Sequence, residues 1–168
     1  MFFTIRNFQK SYNSHTVLTI PELAIPEGIH WFEGANGSGK STLFRTIAGI
    51  IPFEGEMELC NLQNNKGNAV AYRRLVNYAY AEPQYPDYLS GADIINFVNE
   101  ARRSDVNQVS KLVERFGVND FYKNAIQTYS SGMLKKISLI TAFIGKPKLI
   151  LLDEPFTTID AQTSDLIY

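Results

Sequence analysis

Apolar residues fall in short bursts in the first half of the chain and in helical stripes in the second half. Residues 3–8 and 17–20 read as strands, and the polar, turn-rich stretch 9–15 between them predicts an antiparallel hairpin. Pro21 and Pro26-Glu27-Gly28 punctuate the chain beyond the hairpin. Ile29-His30-Trp31-Phe32 reads as a short strand, and residues 42–48 as the first turns of a helix ended by Gly49 and Pro52. Residues 53–56 read as a turn into a strand over 57–60. Residues 61–67 read as a polar loop, and 72–80 as a segment ending in a strand. Pro83 and Pro86 break regular structure across 81–87.

From Ser90 the period becomes helical. Ser90 and Asp93 form a capping-box pattern ahead of Ile94, Ile95, Phe97, Val98 and Ala101. Ser104 is the expected cap of a second helix, with Val106, Val109, Leu112, Val113 and Phe116 on one stripe and Gly117 as its stop. A third stripe, Met133, Leu134, Ile137, Ile140, Phe143 and Ile144, ends at Gly145 and Pro147. Residues 149–152 form an uninterrupted apolar run, as expected of a strand covered on both faces in a parallel sheet. Strands and helices interleave, so the expected class is α/β.

Between the strand at 29–32 and the helix at 42–48 lies Gly34-Ala35-Asn36-Gly37-Ser38-Gly39-Lys40-Ser41-Thr42, which fits G-x-x-x-x-G-K-[ST]. Strand, glycine loop and helix is the context that gives this pattern meaning. Gly37 and Gly39 let the backbone curl with its N–H groups inward. The helix start adds unpaired N–H groups and a partial positive charge. Lys40 brings an ammonium to the outer phosphates of a nucleotide, and the Ser41 hydroxyl suits Mg²⁺. A second cluster comes after the apolar run 149–152: Asp153 and Glu154 stand where the carboxyl edge of a sheet would be, the ligand-binding edge of open α/β sheets. Asp153 is the expected support for Mg²⁺, and Glu154 the expected group that orients an attacking water.

Composition narrows the alternatives. The 168 residues carry a net charge of −1 with no long basic run, so no nucleic-acid partner is expected. Cys60 is the single cysteine, which rules out an internal disulfide and favours a reducing compartment. His15 and His30 stand apart from any metal-ligand cluster, and no apolar run approaches the length of a membrane helix. On spacing alone Tyr12 is a surface or staple tyrosine in the hairpin connection.

Taken together these residues resemble the nucleotide-binding subunit of ABC transporters, across nearly the whole chain and in the family's order. Gly34–Thr42 looks like Walker A, and residues 150–155 look like Walker B with its following glutamate. Tyr129-Ser130-Ser131-Gly132-Met133 lies in the place of the signature, with Ser131 for a glycine and Met133 for the glutamine. Phe156-Thr157-Thr158-Ile159-Asp160 resembles the D-loop. The resemblance implies a RecA-like P-loop NTPase core with an antiparallel β portion and a helical subdomain at about 85–144, within one ABC ATPase domain over 1–168. It implies that Tyr12 stacks on adenine. It implies that Ser130, Gly132 and Asp160 serve ATP shared with a second ATP-binding subunit, a second copy of this chain. ATP and Mg²⁺ are the implied cofactors, and an integral membrane permease is the implied partner. The protein would then be a cytoplasmic ATPase, peripheral on the membrane, closing as a dimer on ATP.

Two places depart from the family. An ungapped alignment puts Ala81 at the Q-loop glutamine; Glu82 is favoured as the residue that approaches Mg²⁺, and Gln84 is the nearby glutamine. Residues 82–91 and the Tyr-Ser-Ser-Gly-Met signature look closer to the exporter-type branch. The family's switch histidine lies on a later strand, past Tyr168, so the chain reads as C-terminally truncated and its own turnover is in question. The competing readings are a soluble, non-transport ABC ATPase and an ATP-binding regulatory domain without turnover. The stretch from Lys40 to Ser130 has no long coiled coil and no basic linker, which argues against the first. Glu154 argues against the second, and the missing switch histidine leaves it open.

Overall fold

The computed structural model describes residues 2–165 and 167. The chain divides into two compact units, Met1–Val76 and Asn77–Tyr168.

The first unit is built on an antiparallel sheet of order β2-β1-β3-β4, with β1 at Phe3–Tyr12, β2 at His15–Ile25, β3 at Glu54–Leu59 and β4 at Leu62–Gln63. The hairpin is longer than the sequence pattern suggests. Tyr12 pairs with His15, so residues 9–12 belong to the strand and the turn shrinks to Asn13-Ser14, with Asn13 at φ 55. β2 likewise runs through Pro21. It is an edge strand, and Pro21 falls between the pairs Arg6–Glu22 and Phe8–Ile20, opposite Asn7, where a missing donor leaves the ladder on either side intact.

A bulge explains the parity of β1. Phe3, Ile5, Phe8 and Lys10 are the buried positions, so alternation skips one residue at Asn7, which sits at φ 49. An extra residue in one strand flips the faces beyond it. Gly55 lies opposite at φ 107, and a Cβ there would meet the Asn7 carbonyl oxygen at 2.3 Å. The expected turn at 53–56 is therefore mostly strand. The polar loop at 61–67 contains β4, joined to β3 through Cys60 and Asn61, both at positive φ (50 and 63). Two left-handed residues in a two-residue loop match the right-handed strand twist. α1 spans Lys40–Ile47 and α2 spans Ala69–Leu75, where the segment 72–80 begins before ending, as expected, in a strand. Buried Leu43, Ile47, Met57, Leu59 and Tyr72 make the core of this unit with the β1 residues.

The second unit pairs two short strands, β5 (Val76–Ala79) and β6 (Leu149–Leu152), with helices α3 (Gly91–Arg102), α4 (Val106–Arg115), a 3₁₀ turn (Ile126–Thr128), α5 (Ser131–Phe143) and the short α6 (Ala161–Ser164). The Asp153 N–H donates to Ala79 O at 3.0 Å, so β5 and β6 end together. Ser90 and Asp93 form the expected capping box. α4 starts one residue later than expected: Asp105 caps it by accepting from Asn107 N at 2.9 Å, and the Ser104 hydroxyl turns to Gln108 instead. Ile95, Val113, Phe116, Ile137, Ile140 and Ile144 form a dry cluster between these helices and Ala79. β6 is less covered than its unbroken apolar run suggests. Leu151 is buried, and Ile150 is 36% exposed.

Candidate functional site

In the first unit the glycine loop leads into α1 as the sequence pattern requires. Gly37 (φ 81) and Gly39 (φ 92) take left-handed conformations that a side chain would strain. Gly39 is the N-cap of α1, with no side-chain cap and no acidic residue in the first turn. The helix N-terminus is thus left for an external anion. Lys40 reaches back across the loop, its Nζ donating to Gly34 O at 2.6 Å and Ala35 O at 3.0 Å. The Ser38 N–H donates to Ala35 O at 3.2 Å and closes the same turn. Gly34, Ala35, Asn36, Gly37 and Ser38 are exposed, while Ser41 and Thr42 are half-buried on the first turn of α1. β2 lies alongside: a Cβ at Gly39 would touch Val17 and Leu18 at 3.8–3.9 Å.

Residues 29–32 do not form the expected strand. They join no ladder among the described residues, and Ile29 and Trp31 are 95% and 72% exposed. The sheet of this unit ends at β2 on one side and β4 on the other, and residues 29–32 add to neither edge. Phe32 is anchored instead by an edge-on contact with Phe44 of α1, centroids 5.4 Å apart. Tyr12, at the tip of the hairpin, is 48% exposed, and Lys10 Nζ lies 4.6 Å from its ring centroid. That ammonium takes one face of the ring.

In the second unit the carboxylates stand at the strand ends. Asp153 is buried, and the Tyr78 hydroxyl donates to its Oδ2 at 2.9 Å. Glu154 is exposed at φ 46, in a tight turn whose carbonyl accepts from the Thr157 amide and hydroxyl at 3.2 and 2.8 Å. This turn takes the backbone at Glu154 out of the course of β6. Glu82 is exposed in a bend after β5, and Gln84 is exposed two residues on. No group of three or more His, Cys, Asp or Glu gathers to hold a metal among the described residues.

The signature and D-loop segments meet within this unit. Ser130 caps α5 by accepting from Met133 N at 3.2 Å. Gly132 lies against the Thr158 carbonyl. Asp160 pairs with Lys136 of α5 at 2.8 Å and caps α6 through Thr163 N at 2.7 Å. The hydrogen bond from Lys136, then those from Thr163, hold the Asp160 carboxyl well below the usual carboxylate range. Lys136, Tyr78 and the fully buried Lys135 escape a motif reading. The one signal for Lys135 is its spacing, three, four and seven residues before Ser138, Leu139 and Ala142 on the buried face of α5.

Comparison with known proteins agrees with this arrangement. An aliphatic sulfonates import ATP-binding protein of Burkholderia cenocepacia is 33% identical over 95% of this chain and 58% of its own length. The ABC transporter ATP-binding protein YhaQ of Bacillus subtilis is 29% identical over 98% of this chain and 56% of its own length. The chain thus spans somewhat over half the length of these relatives. Among solved structures, an ATP-binding subunit of an ABC transporter superposes with a TM-score of 0.83 at 21% identity, covering 98% of this chain and 71% of that one. A dimeric ATP-binding cassette, MJ0796, bound to ADP and Pi gives 0.82 at 20%, covering 98% and 79%. At those identities they show the fold, α/β of the P-loop ATPase kind, as the sequence predicts. The ABC transporter model matches residues 22–157, from inside β2 through both carboxylates and into the D-loop, and the chain belongs to the ABC transporter family.

Proposed function

We propose that this chain is the ATP-binding and ATP-hydrolysing part of a transporter subunit, driving a separate membrane permease through nucleotide-dependent dimer closure. The observation that carries the reading is the loop Gly34–Thr42: an uncapped helix start behind two left-handed glycines, with Lys40 laid across it. These supply the unpaired N–H groups of a helix start, a helix dipole and one ammonium held across the loop, the combination that suits a nucleotide's phosphates.

Each role in this reading follows from the chemistry of its residue. Gly34, Ala35, Asn36, Gly37, Ser38 and Gly39 cradle phosphate with backbone N–H groups, and Lys40 neutralises the outer charge. Tyr12 offers the ring face not taken by Lys10 to adenine. Ser41 and Asp153 are a hydroxyl and a carboxylate, hard oxygen donors that fit Mg²⁺, and Glu82 supplies a further carboxylate. When bound, the ion neutralises charge on the phosphates. Glu154 accepts a hydrogen bond from the attacking water and orients it. Ser130, Gly132 and Asp160 form the face offered to the nucleotide of a second copy. The helices within residues 85–144 are the subdomain that carries it, in one ABC ATPase domain over the whole chain. Its place is the cytoplasmic membrane surface, reached through the permease; no helix among the described residues is long and apolar enough to cross a membrane.

Isothermal calorimetry of MgATP on the wild type and on Lys40→Ala tests the core of this reading. The variant should bind at least tenfold more weakly, since the ammonium facing the phosphates is gone. Equal affinity in the two proteins would remove the phosphate-loop assignment. Turnover absent in a wild type that binds tightly would favour a regulatory ATP-binding domain.

A further inference from the structure

Lys135 is the one lysine of α5 with no exposure, and the partners of its ammonium are backbone carbonyls. Its Nζ donates to three of them: Tyr80 O at 2.9 Å, Ala81 O at 3.1 Å and Asp153 O at 2.8 Å. An ammonium has three protons, so its donor capacity is filled. The acceptors are not scattered. Tyr80 and Ala81 directly follow β5 and lead into Glu82, while Asp153 directly follows β6 and leads into Glu154. Carbonyls just past a strand end have lost their ladder partners, and buried ones need another donor. One side chain from the signature helix supplies it for both strands.

Asp153 is thereby fixed at three points. Its N–H donates to Ala79 O, its side chain accepts from Tyr78, and its carbonyl accepts from Lys135. Burial draws the Lys135 pKa down, and the charges of Asp153 and Glu154 oppose that. Relying on the ATPase reading above, we infer that Lys135 is a positioning residue: it holds the segment entering Glu82 and the strand end bearing Asp153 and Glu154 in one register for phosphoryl transfer. Its donors go to backbone carbonyls. Its contribution is that two catalytic segments from distant parts of the chain cannot drift independently.

The test uses Lys135→Met, which keeps the stem and removes the donors, with Lys135→Arg as the conservative variant, all in the full protein. Steady-state ATPase assays should show kcat down at least tenfold in Lys135→Met with KM for ATP within threefold, and Lys135→Arg recovering to within threefold of wild type. Amide exchange read by mass spectrometry should rise in Lys135→Met at residues 80–82 and 152–154 together. Unchanged exchange at both segments, or normal kcat, overturns the inference. So does a parallel collapse of kcat and affinity that arginine does not rescue, since that is loss of fold. If Lys135→Met does not fold, Lys135→Gln carries the same readings, with unchanged exchange again the contrary result. A wild type without ATPase activity would count against the functional reading alone, because the exchange result reports the tie itself.

Discussion

Gly132 sits so close to Thr158 that a Cβ built on it would stand 2.6 Å from the Thr158 carbonyl oxygen. The second residue of α5 and the D-loop are thus in backbone contact inside one unit. Thr158 is itself at φ 64, so its carbonyl is aimed by an uncommon conformation. Lys136 and Asp160 clip the same two segments together one turn on.

Gly132→Ala is therefore expected to destabilise through overpacking, by about 1–3 kcal/mol. Gly37→Ala makes the useful contrast. A Cβ there meets nothing within 4 Å, and its cost is the positive φ of 81 alone, roughly 1 kcal/mol. Urea midpoints of the two variants separate steric from backbone strain. A Gly132→Ala protein as stable as wild type would mean the D-loop yields freely.

The Asp160–Lys136 pair gives a pH dependence with a definite sign. The folded-state carboxyl titrates well below its unfolded value, held there first by Lys136 and then by Thr163. Such a group adds stability above the unfolded pKa of about 4 and loses it as pH falls toward the folded value. The Asp160 side chain is 54% exposed, so solvent screening limits the pair to about 1 kcal/mol or less. Asp160→Asn keeps a good helix cap and drops the charge. Between pH 7 and pH 3 the wild type should lose more stability than Asp160→Asn in chemical denaturation. Parallel pH curves would show that the pair contributes nothing.

The far end of α5 is fixed by two amides. Asn77 Nδ2 donates to Ala142 O and Ile144 O, both at 2.8 Å. Gln108 Nε2 reaches Phe143 O at 3.3 Å and Gly145 O at 3.0 Å, and its Oε1 accepts from Gly145 N at 2.8 Å. Asn77 is buried, and its own Oδ1 finds no partner, so the position already tolerates one cost for the sake of two carbonyls. Asn77→Ala should leave those carbonyls bare and cost about 2 kcal/mol or more. Gln108→Ala, at a half-buried site, should cost less. The two denaturation midpoints check the order.

The parts legible in the sequence were those that rest on local chemistry. The capping box of Ser90 and Asp93, the helix start at Ser130 and the glycine loop each depend on residues within a few positions of one another. What escaped depends on partners far along the chain. The bulge at Asn7 exists because β1 pairs with the distant β3, Arg6 opposite Glu56, and nothing near Asn7 announces it. Cys60 and Asn61 at positive φ carry only a weak turn signal, so β4 read as loop. The strand expected at 29–32 failed for the converse reason: an apolar run becomes a strand only beside another strand, and the sheet of its own unit closes without it. Lys135 joins positions 54 and 18 residues away, which spacing cannot reveal.

On the proposed reading, Glu154 sets stability against function. It is exposed, and φ 46 is a left-handed conformation that a residue with a Cβ enters at a cost of about 1 kcal/mol or more. Glycine adopts it freely. Glu154→Gly is thus expected to be neutral in stability or to gain up to about 1 kcal/mol, against the usual loss for a glycine substitution, while on the proposed reading turnover falls with the loss of the carboxylate assigned to orient water. Glu154→Gln retains the strain and should match the wild-type midpoint while turning over slowly. Paired melting curves and ATPase rates on both variants decide the matter. A Glu154→Gly protein markedly less stable than wild type would show that the side chain, and not the backbone turn, holds this corner in place. Strain kept at a residue whose replacement by glycine would relieve it is what a position selected for its carboxylate looks like.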